Sequence, residues 1–207
     1  METKRALEKR LSRVRGFEEP QAKREQYSTP AEIASQLVHL ADLQGDLDAV
    51  VVDLGTGTGM LAIGAALRGA DRVIALDSDR NVLEEARRNE QRVGPPMKID
   101  WLCGDGGRLP ISLSNATVLM NPPFGAQRGN RGADRRFLDA ASEIADVIYS
   151  IHNAGSRDFV ESFVGDRGGE VTHAYELAFD LTNQFEFHEK ERATIRAECY
   201  RSSWRGT

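Results

Sequence analysis

The feature that most constrains this chain is a β-branched apolar run followed at once by alternating glycines. Residues 49–52 read AVVV, and DLGTGTG follows over residues 53–59. The run is typical of a buried parallel strand, and the glycines allow a tight turn and a close approach of the backbone to a ligand. Helical spacing resumes at residue 60. The order strand, glycine turn, helix predicts the first unit of an α/β sheet with a ligand site at the strand end.

Strands and helices alternate along most of the rest of the chain. Helices are predicted over 4–15, from Pro30 through Leu40, and over 60–68, 80–92, 133–145 and 156–164, and further strands over 72–76, 97–103, 117–120 and 146–151. Two strand-like runs, 170–180 and 193–201, close the chain with no helix between them. Right-handed crossovers then predict a seven-stranded, mostly parallel sheet with helices on both faces and one antiparallel strand at its edge.

Length and composition predict one domain over residues 1–207 and exclude a membrane protein. The chain has a net charge of −5, and none of its apolar stretches approaches the roughly 20 residues of a bilayer span. The N-terminus carries charges where a secretory signal has an apolar region, so we expect a cytoplasmic protein. Cys103 and Cys199 are too isolated for a disulfide framework or a zinc site, and we expect both to be buried thiols.

Acidic residues end the second and third strands, beside the glycine turn. Asp77 follows strand 72–76, where a carboxylate can accept hydrogen bonds from both ribose hydroxyls, and Asp105 follows strand 97–103, where it can meet an adenine edge. Residues 57–62, GTGMLA, also satisfy the dinucleotide pattern G-x-G-x-x-A, so NAD is an open alternative at this point. A turn whose glycines serve only helix packing is another alternative.

The residues that follow the fourth strand distinguish NAD from another nucleoside cofactor. NPPF at 121–124 follows the apolar run TVLM. The Asn121 side-chain oxygen and the Pro122 carbonyl can each accept an N–H hydrogen bond, Pro123 stiffens the turn, and Phe124 offers a face for stacking on a planar base. These groups can hold an amine beside the sulfonium methyl of S-adenosylmethionine, where alignment and desolvation favour in-line displacement. A rigid Asn-Pro loop without chemistry is the alternative.

Taken together, these motifs resemble those of a known enzyme class. DLGTGTG, LDSD, GD and NPPF in this order are similar to Rossmann-like class I S-adenosylmethionine-dependent amino-methyltransferases. Longer stretches resemble the methyltransferase-like protein 5 family and its archaeal relatives: residues 17–30, 59–70, 121–138, 149–160 and 183–192. The resemblance covers nearly the whole chain.

The resemblance implies both a reaction and a partner. The reaction is methylation of the N6 amine of an adenosine in small-subunit ribosomal RNA, and the partner is a small zinc-binding activator subunit that pairs with the sheet edge to form a heterodimer. The same clamp on a protein glutamine is the alternative reaction. A dehydrogenase, or a cofactor-binding module without catalysis, is the alternative from another class, although neither explains NPPF.

The resemblance also assigns residues. It implies that residues 1–30 form a basic helix and a loop that covers the cofactor. It places catalysis on Asn121, Pro122, Pro123 and Phe124, and it implies these cofactor contacts: Gln26, Thr29, Gly55, Gly57, Thr58, Gly59, Met60, Asp77, Asp105 and Gly106.

Basic and aromatic residues near these motifs are candidates for contact with RNA. Arg128, Arg131, Arg135 and Arg136 follow NPPF directly, so RNA entering the clamp must pass them. Tyr27 lies between two implied cofactor contacts, so it either contacts the target base or packs within the protein. His188 lies in a polar stretch suited to single-stranded RNA, although a solvated hairpin tip explains it equally. For His152, contact with RNA and a structural role are both open.

Overall fold

The described residues of the structure, a computed structural model, are 3–17, 28–123, 132–181 and 193–204. They form seven strands: β1 Val51–Leu54, β2 Val73–Asp77, β3 Asp100–Cys103, β4 Ala116–Met120, β5 Ala145–Asn153, β6 Glu170–Leu181 and β7 Ala193–Ser203. They also form six α-helices: α1 Lys4–Leu11, α2 Ala31–Leu43, α3 Met60–Arg68, α4 Arg80–Val93, α5 Ala133–Ser142 and α6 Arg157–Gly165.

The strands form one twisted sheet in the order β3-β2-β1-β4-β5-β7-β6. The first five pair in parallel, and β7 runs antiparallel to both β5 and β6. The predicted fold class is therefore confirmed. The hairpin of β6 and β7 supplies the antiparallel pairing at the sheet edge, with β7 one position inside the edge strand β6.

The strand order reverses at β1, which lies between β2 and β4. β2 and β4 lie on opposite sides of β1. The chain therefore leaves the ends of β1 and β4 in opposite directions, and a crevice remains at the carboxyl ends of these two strands. All four residues of β1 are buried. The two segments that the sequence singled out, the glycine turn and NPPF, follow these two strands directly.

Helices cover both faces of the sheet, and the N-terminal helix belongs to one of these layers. On that face, Leu7 and Leu11 of α1 are fully buried in one apolar cluster with Leu37 and Ile63 of the next two helices. On the opposite face, α5 and α6 pack a second cluster that includes Leu138, Val160 and Phe163. No helix in the described part of the chain combines the length and apolar character that a bilayer span requires.

Three local expectations differ from the structure. Helix α1 ends at Leu11 rather than at residue 15, and α5 ends at Ser142 because Ala145 already begins β5. Cys103 is exposed, contrary to expectation, because it ends β3 at the open edge of the sheet, while Cys199 is buried as expected. Burial in apolar surroundings raises the pKa of the Cys199 thiol to about 12.

A buried ion pair joins the turn before β1 to the last strand of the sheet. Asp46, in a 3₁₀ turn before β1, is fully buried and accepts hydrogen bonds from the Arg201 guanidinium at 2.8 and 3.0 Å. The Tyr149 hydroxyl donates to the same carboxylate at 2.7 Å, and its own burial raises the pKa of Tyr149 well above the usual value. Because each charged group is matched, removing one partner leaves the other buried and uncompensated.

Replacing Asp46 with the isosteric amide in Asp46→Asn removes the charge that Arg201 faces. We expect the free energy of unfolding to fall by about 3–5 kcal/mol, measured by urea denaturation. The control is Arg72→Met, which breaks the Arg72–Asp100 pair, whose side chains are 58% and 54% exposed. That loss should stay below about 1 kcal/mol. Equal losses in the two variants would contradict a special role for the buried pair.

Candidate active site

A cavity of about 390 Å³ opens at the carboxyl ends of β1, β2 and β4, where the strand order reverses. It is the place where an open α/β sheet binds its ligand. Its walls come from the glycine loop, from the ends of β2 and β3, from the start of α5 and from residues on both sides of segment 18–27. The residues that line it include Phe17, Thr29, Asp53, Gly55, Gly57, Thr58, Met60, Asp77, Asp105, Gly106, Asn121, Pro123, Arg136 and Phe137.

The glycines of the loop serve different purposes. Gly57, at a φ of +54°, faces the Phe17 ring, and a Cβ on Gly57 would stand 3.1 Å from Phe17 Cζ. Gly59, at a φ of +90°, faces away from the cavity, where a Cβ would stand 2.8 Å from the Trp101 ring. Gly59 therefore permits close packing of α3 and is absent from the cavity wall, although the sequence placed it with the cofactor contacts.

A buried carboxylate fixes the loop to the following helix. Asp53, only 1% exposed, accepts hydrogen bonds from the Thr56 hydroxyl at 2.6 Å and from the Ala62 backbone N–H at 2.9 Å. Burial raises the pKa of the Asp53 carboxyl to about 7, and the two hydrogen bonds partly oppose that rise. A cation bound nearby would lower this pKa and favour the ionised form.

Two further carboxylates stand where the sequence predicted them. Asp77 accepts from the Gly57 N–H and from the Asp79 N–H, each at 2.9 Å, so it holds the glycine loop while it lines the cavity. Asp105 accepts from the Gly107 N–H at 2.8 Å and is exposed at the rim. These positions suit hydroxyl and amine donors of a nucleoside entering from the mouth of the cavity.

Asn121 is the one residue of the NPPF motif whose side-chain bonding is incomplete. Its amide nitrogen donates to the Thr29 hydroxyl at 3.0 Å. Its amide oxygen is buried and has no hydrogen-bond partner among the described residues, which is a costly state for such a group. The oxygen therefore stands ready to accept an N–H from a ligand. Pro122 is buried, Pro123 lines the cavity, and Phe124 lies outside the described residues.

Sequence comparisons assign the chain to a family of methyltransferases. A family model described as UPF0020, RMKL-like, methyltransferase domain, matches residues 24–183. The rRNA N(6)-adenosine-methyltransferase Mettl5 of Drosophila melanogaster is 33% identical over 95% of this chain and 94% of its own length. The METTL5 protein of Danio rerio, with the same description, is 34% identical over 94% of this chain and 96% of its own. The chain belongs to the methyltransferase-like protein 5 family.

A solved structure supports the same assignment. PH1948 of Pyrococcus horikoshii superposes with a TM-score of 0.86 at 40% identity, covering 98% of each chain. The methyl donor of this class of fold is S-adenosylmethionine, which is therefore the cofactor of this chain. The residues of the cavity fit it. The glycines leave room for a ligand close to the backbone, Asp77 offers a carboxylate to ribose hydroxyls, and Asp53 can become ionised beside a cationic group.

Most described residues of the predicted site meet at this cavity. Thr29, Gly55, Gly57, Thr58, Met60, Asp77, Asp105, Gly106, Asn121 and Pro123 all line it. Of the arginines, Arg136 lines the cavity, whereas the guanidinium of Arg135 lies over the Phe163 ring at 5.8 Å from its centroid. Gln26, Tyr27, Phe124, Arg128, Arg131 and His188 lie outside the described residues, and their roles stay predictions.

Two aromatic residues of the cavity were not recognised from the sequence as site residues. Phe17 precedes segment 18–27, and Phe137 lies on α5. The Phe137 ring fills the space beside two glycines of the site, since a Cβ would stand 3.0 Å away at Gly55 and 2.6 Å away at Gly106. The sequence did offer one signal for Phe137, because it lies near the start of the helix that follows NPPF.

The surroundings of His152 are those of a packed core residue. Its ring is 2% exposed, lies 2.9 Å from the Ser150 hydroxyl and contacts the rings of Phe159 and Tyr200. Burial lowers the pKa of His152 to about 4, so it is neutral at physiological pH. Within the described ranges, no three His, Cys, Asp or Glu side chains gather as a metal site.

Adding one methyl group in Gly106→Ala would force the Phe137 ring to move. We expect this substitution to lower the free energy of unfolding by about 1–3 kcal/mol, because the site is already packed. In a Phe137→Ala background the ring is gone, so the same glycine change should cost much less. Thermal and urea denaturation of the four proteins measure this coupling. Equal costs in both backgrounds would show that Phe137 does not require the glycine.

Proposed function

We propose that this protein methylates the N6 amine of an adenosine in small-subunit ribosomal RNA. The observation that carries the proposal is the unpartnered, buried Oδ1 of Asn121 at the wall of the cavity. An exocyclic amine is the kind of donor that this oxygen lacks. The Drosophila and zebrafish relatives, whose names give rRNA adenosine N6 as their target, support the choice of amine and of RNA.

In the proposed mechanism the chain aligns the amine and excludes water. The Oδ1 of Asn121 and the carbonyl of Pro122 accept the two N–H groups of the adenine, which orients the nitrogen lone pair. Thr29 holds the amide by accepting from its nitrogen, so the oxygen faces the ligand. S-adenosylmethionine supplies an electrophilic methyl group. As the new C–N bond forms, the S–CH3 bond would break, S-adenosylhomocysteine would leave and the amine would lose one proton to water. No strong base is needed, since the amine becomes acidic only as the C–N bond forms, and alignment accounts for most of the rate.

The cofactor contacts follow from the cavity wall. We propose that Asp77 accepts from the ribose hydroxyls and that Asp105 with Gly106 meets the adenine edge. Gly55, Gly57, Thr58 and Met60 lie along the methionine portion, and Asp53 balances its charge. Thr29 joins the clamp to this site. Gln26 adds a further contact from outside the described residues. Gly59 contributes by allowing α3 to approach Trp101.

RNA would approach over the rim formed by Arg136. This exposed side chain lines the cavity mouth and can reach a phosphate. Arg128 and Arg131, which follow NPPF in the sequence, remain proposed phosphate contacts. Tyr27 and His188 remain proposed base contacts. Arg135, which lies over Phe163, is placed for packing as much as for RNA. The adenosine must leave its stack, which favours an unpaired nucleotide.

Removing the acceptor in Asn121→Ala tests the clamp. We expect the rate of methyl transfer from labelled S-adenosylmethionine to small-subunit ribosomal RNA to fall by roughly 10²–10³-fold, with cofactor binding retained. The matched control is Asn153→Ala, whose side chain is exposed at the end of β5 and should leave the rate unchanged. Label that persists in Asn121→Ala would reject the clamp. Label that survives RNase and stays on protein glutamine would reject RNA as the substrate.

The proposed heterodimer partner is a small zinc-binding activator subunit, and the edge at β3 suits it best. Within the described part of the chain, β3 pairs only with β2 and so offers an open backbone edge. A groove beside it is lined by half-buried apolar side chains, among them Trp101, Leu102, Ile111 and Leu113. A partner strand added there would satisfy the edge and cover this apolar surface.

A charge placed in the groove should block the partner. Ile111→Lys is expected to weaken the complex with the activator by roughly tenfold or more, measured by titration of the two purified chains. Ala174→Lys adds the same charge at an exposed position on β6, the opposite edge, and should bind the activator normally. The reverse result would place the activator on the β6 edge.

A further inference from the structure

Asn89 lies on α4 behind the cavity wall and bonds to two segments that form this wall. It is fully buried. Its Oδ1 accepts from the Arg15 backbone N–H at 2.9 Å, and its Nδ2 donates to the Arg15 carbonyl at 3.0 Å. The second Nδ2 hydrogen is donated to the Thr58 carbonyl of the glycine loop, also at 3.0 Å. One amide therefore joins the N-terminal segment to the loop.

The bonding pattern requires an amide. The two bonds to Arg15 engage both backbone groups of one residue, as a neighbouring β-strand would, and they are independent of the Arg15 side chain. A carboxylate has no hydrogen to donate and would place negative charge against two carbonyl oxygens, while an apolar side chain would remove the partner of three backbone groups, of which the Thr58 carbonyl is buried. The Arg92 guanidinium also donates to Oδ1, which orients the amide.

The residues beside these bonds lie at the cavity. Phe17, two residues after Arg15, lines it and packs over Gly57, the neighbour of Thr58. Gly16, between them, faces Ser28, since a Cβ on Gly16 would stand 2.9 Å from Ser28 Oγ. Ser28 precedes Thr29, which bonds to Asn121. Residues 15–17 thus run between the glycine loop and the clamp.

We propose that Asn89 is a positioning residue for cofactor binding: it fixes residues 15–17 so that Phe17 closes the cavity over the glycine loop. Asn89 itself does not touch the cavity, and it acts through Phe17. The proposal rests on the assignment of this cavity to S-adenosylmethionine. It gives the N-terminal segment a defined role in binding that its basic composition does not show.

Calorimetric titration with S-adenosylhomocysteine tests the proposal on the full chain. Asn89→Asp should bind at least roughly tenfold more weakly than the unaltered protein. Gln91→Glu makes the same chemical change two positions along α4, at an exposed side chain, and should bind within about twofold. Phe17→Ala should also weaken binding. If Asn89 acts through Phe17, adding Asn89→Asp to Phe17→Ala should cost less than about threefold more.

Several outcomes would overturn the proposal. Normal binding of S-adenosylhomocysteine by Asn89→Asp would do so. So would an equal loss of affinity when Asn89→Asp is added to the unaltered protein and to Phe17→Ala, because it would indicate a general effect on folding. If the unaltered protein does not bind S-adenosylhomocysteine, the cofactor site itself is wrongly assigned, which is a different failure.

Hydrogen exchange on the unaltered protein gives a second test that does not depend on the variants folding. Binding and positioning are reciprocal, so saturating S-adenosylhomocysteine should slow exchange of the Arg15 amide by roughly tenfold or more. The Ser12 amide, which donates to Glu8 at the end of α1, is the control and should exchange at the same rate. Unchanged exchange at Arg15 would refute the proposal.

Discussion

The site depends on carboxylates that hold the backbone of one loop. Asp53 takes the Ala62 N–H and the Thr56 hydroxyl, and Asp77 takes the Gly57 N–H, so two neighbouring strands fix the turn that follows β1. A glycine-rich turn is conformationally free in the unfolded chain, and these bonds select one arrangement of it. Because the carboxylates lie at strand ends in a rigid parallel sheet, the sheet fixes the position of the loop.

The second half of the site has the opposite character, since it contains a group left unsatisfied. The Asn121 amide is held by the hydrogen bond that its nitrogen donates to the Thr29 hydroxyl, yet its oxygen finds no partner among the described residues. In a low-dielectric environment an acceptor of this kind favours a ligand that brings a hydrogen. Stable bonding around the glycine loop and incomplete bonding at Asn121 are the two conditions that the proposed amine clamp requires.

Much of this arrangement could be predicted from local sequence, and the failures share a cause. The period of apolar residues marked all seven strands, and NPPF and the acidic strand ends marked the cavity. Three contacts escaped: Asn89 with Arg15, Phe137 with Gly106, and Asp46 with Arg201. Each joins residues far apart in the chain, and no local pattern encodes a single long-range contact. Cys103 was misjudged because nothing in a strand's sequence shows that it will stand at an edge.

The position of β7 has a consequence for how the chain is made. This strand, the last that the structure describes, lies between β5 and β6, and its Arg201 neutralises Asp46, which is 155 positions earlier. Until residues 193–203 leave the ribosome, β5 lacks its β7 neighbour and Asp46 lacks the Arg201 guanidinium. Such distant pairing slows folding and exposes the nascent sheet to other chains. Final assembly of the sheet must therefore wait until β7 has been synthesised.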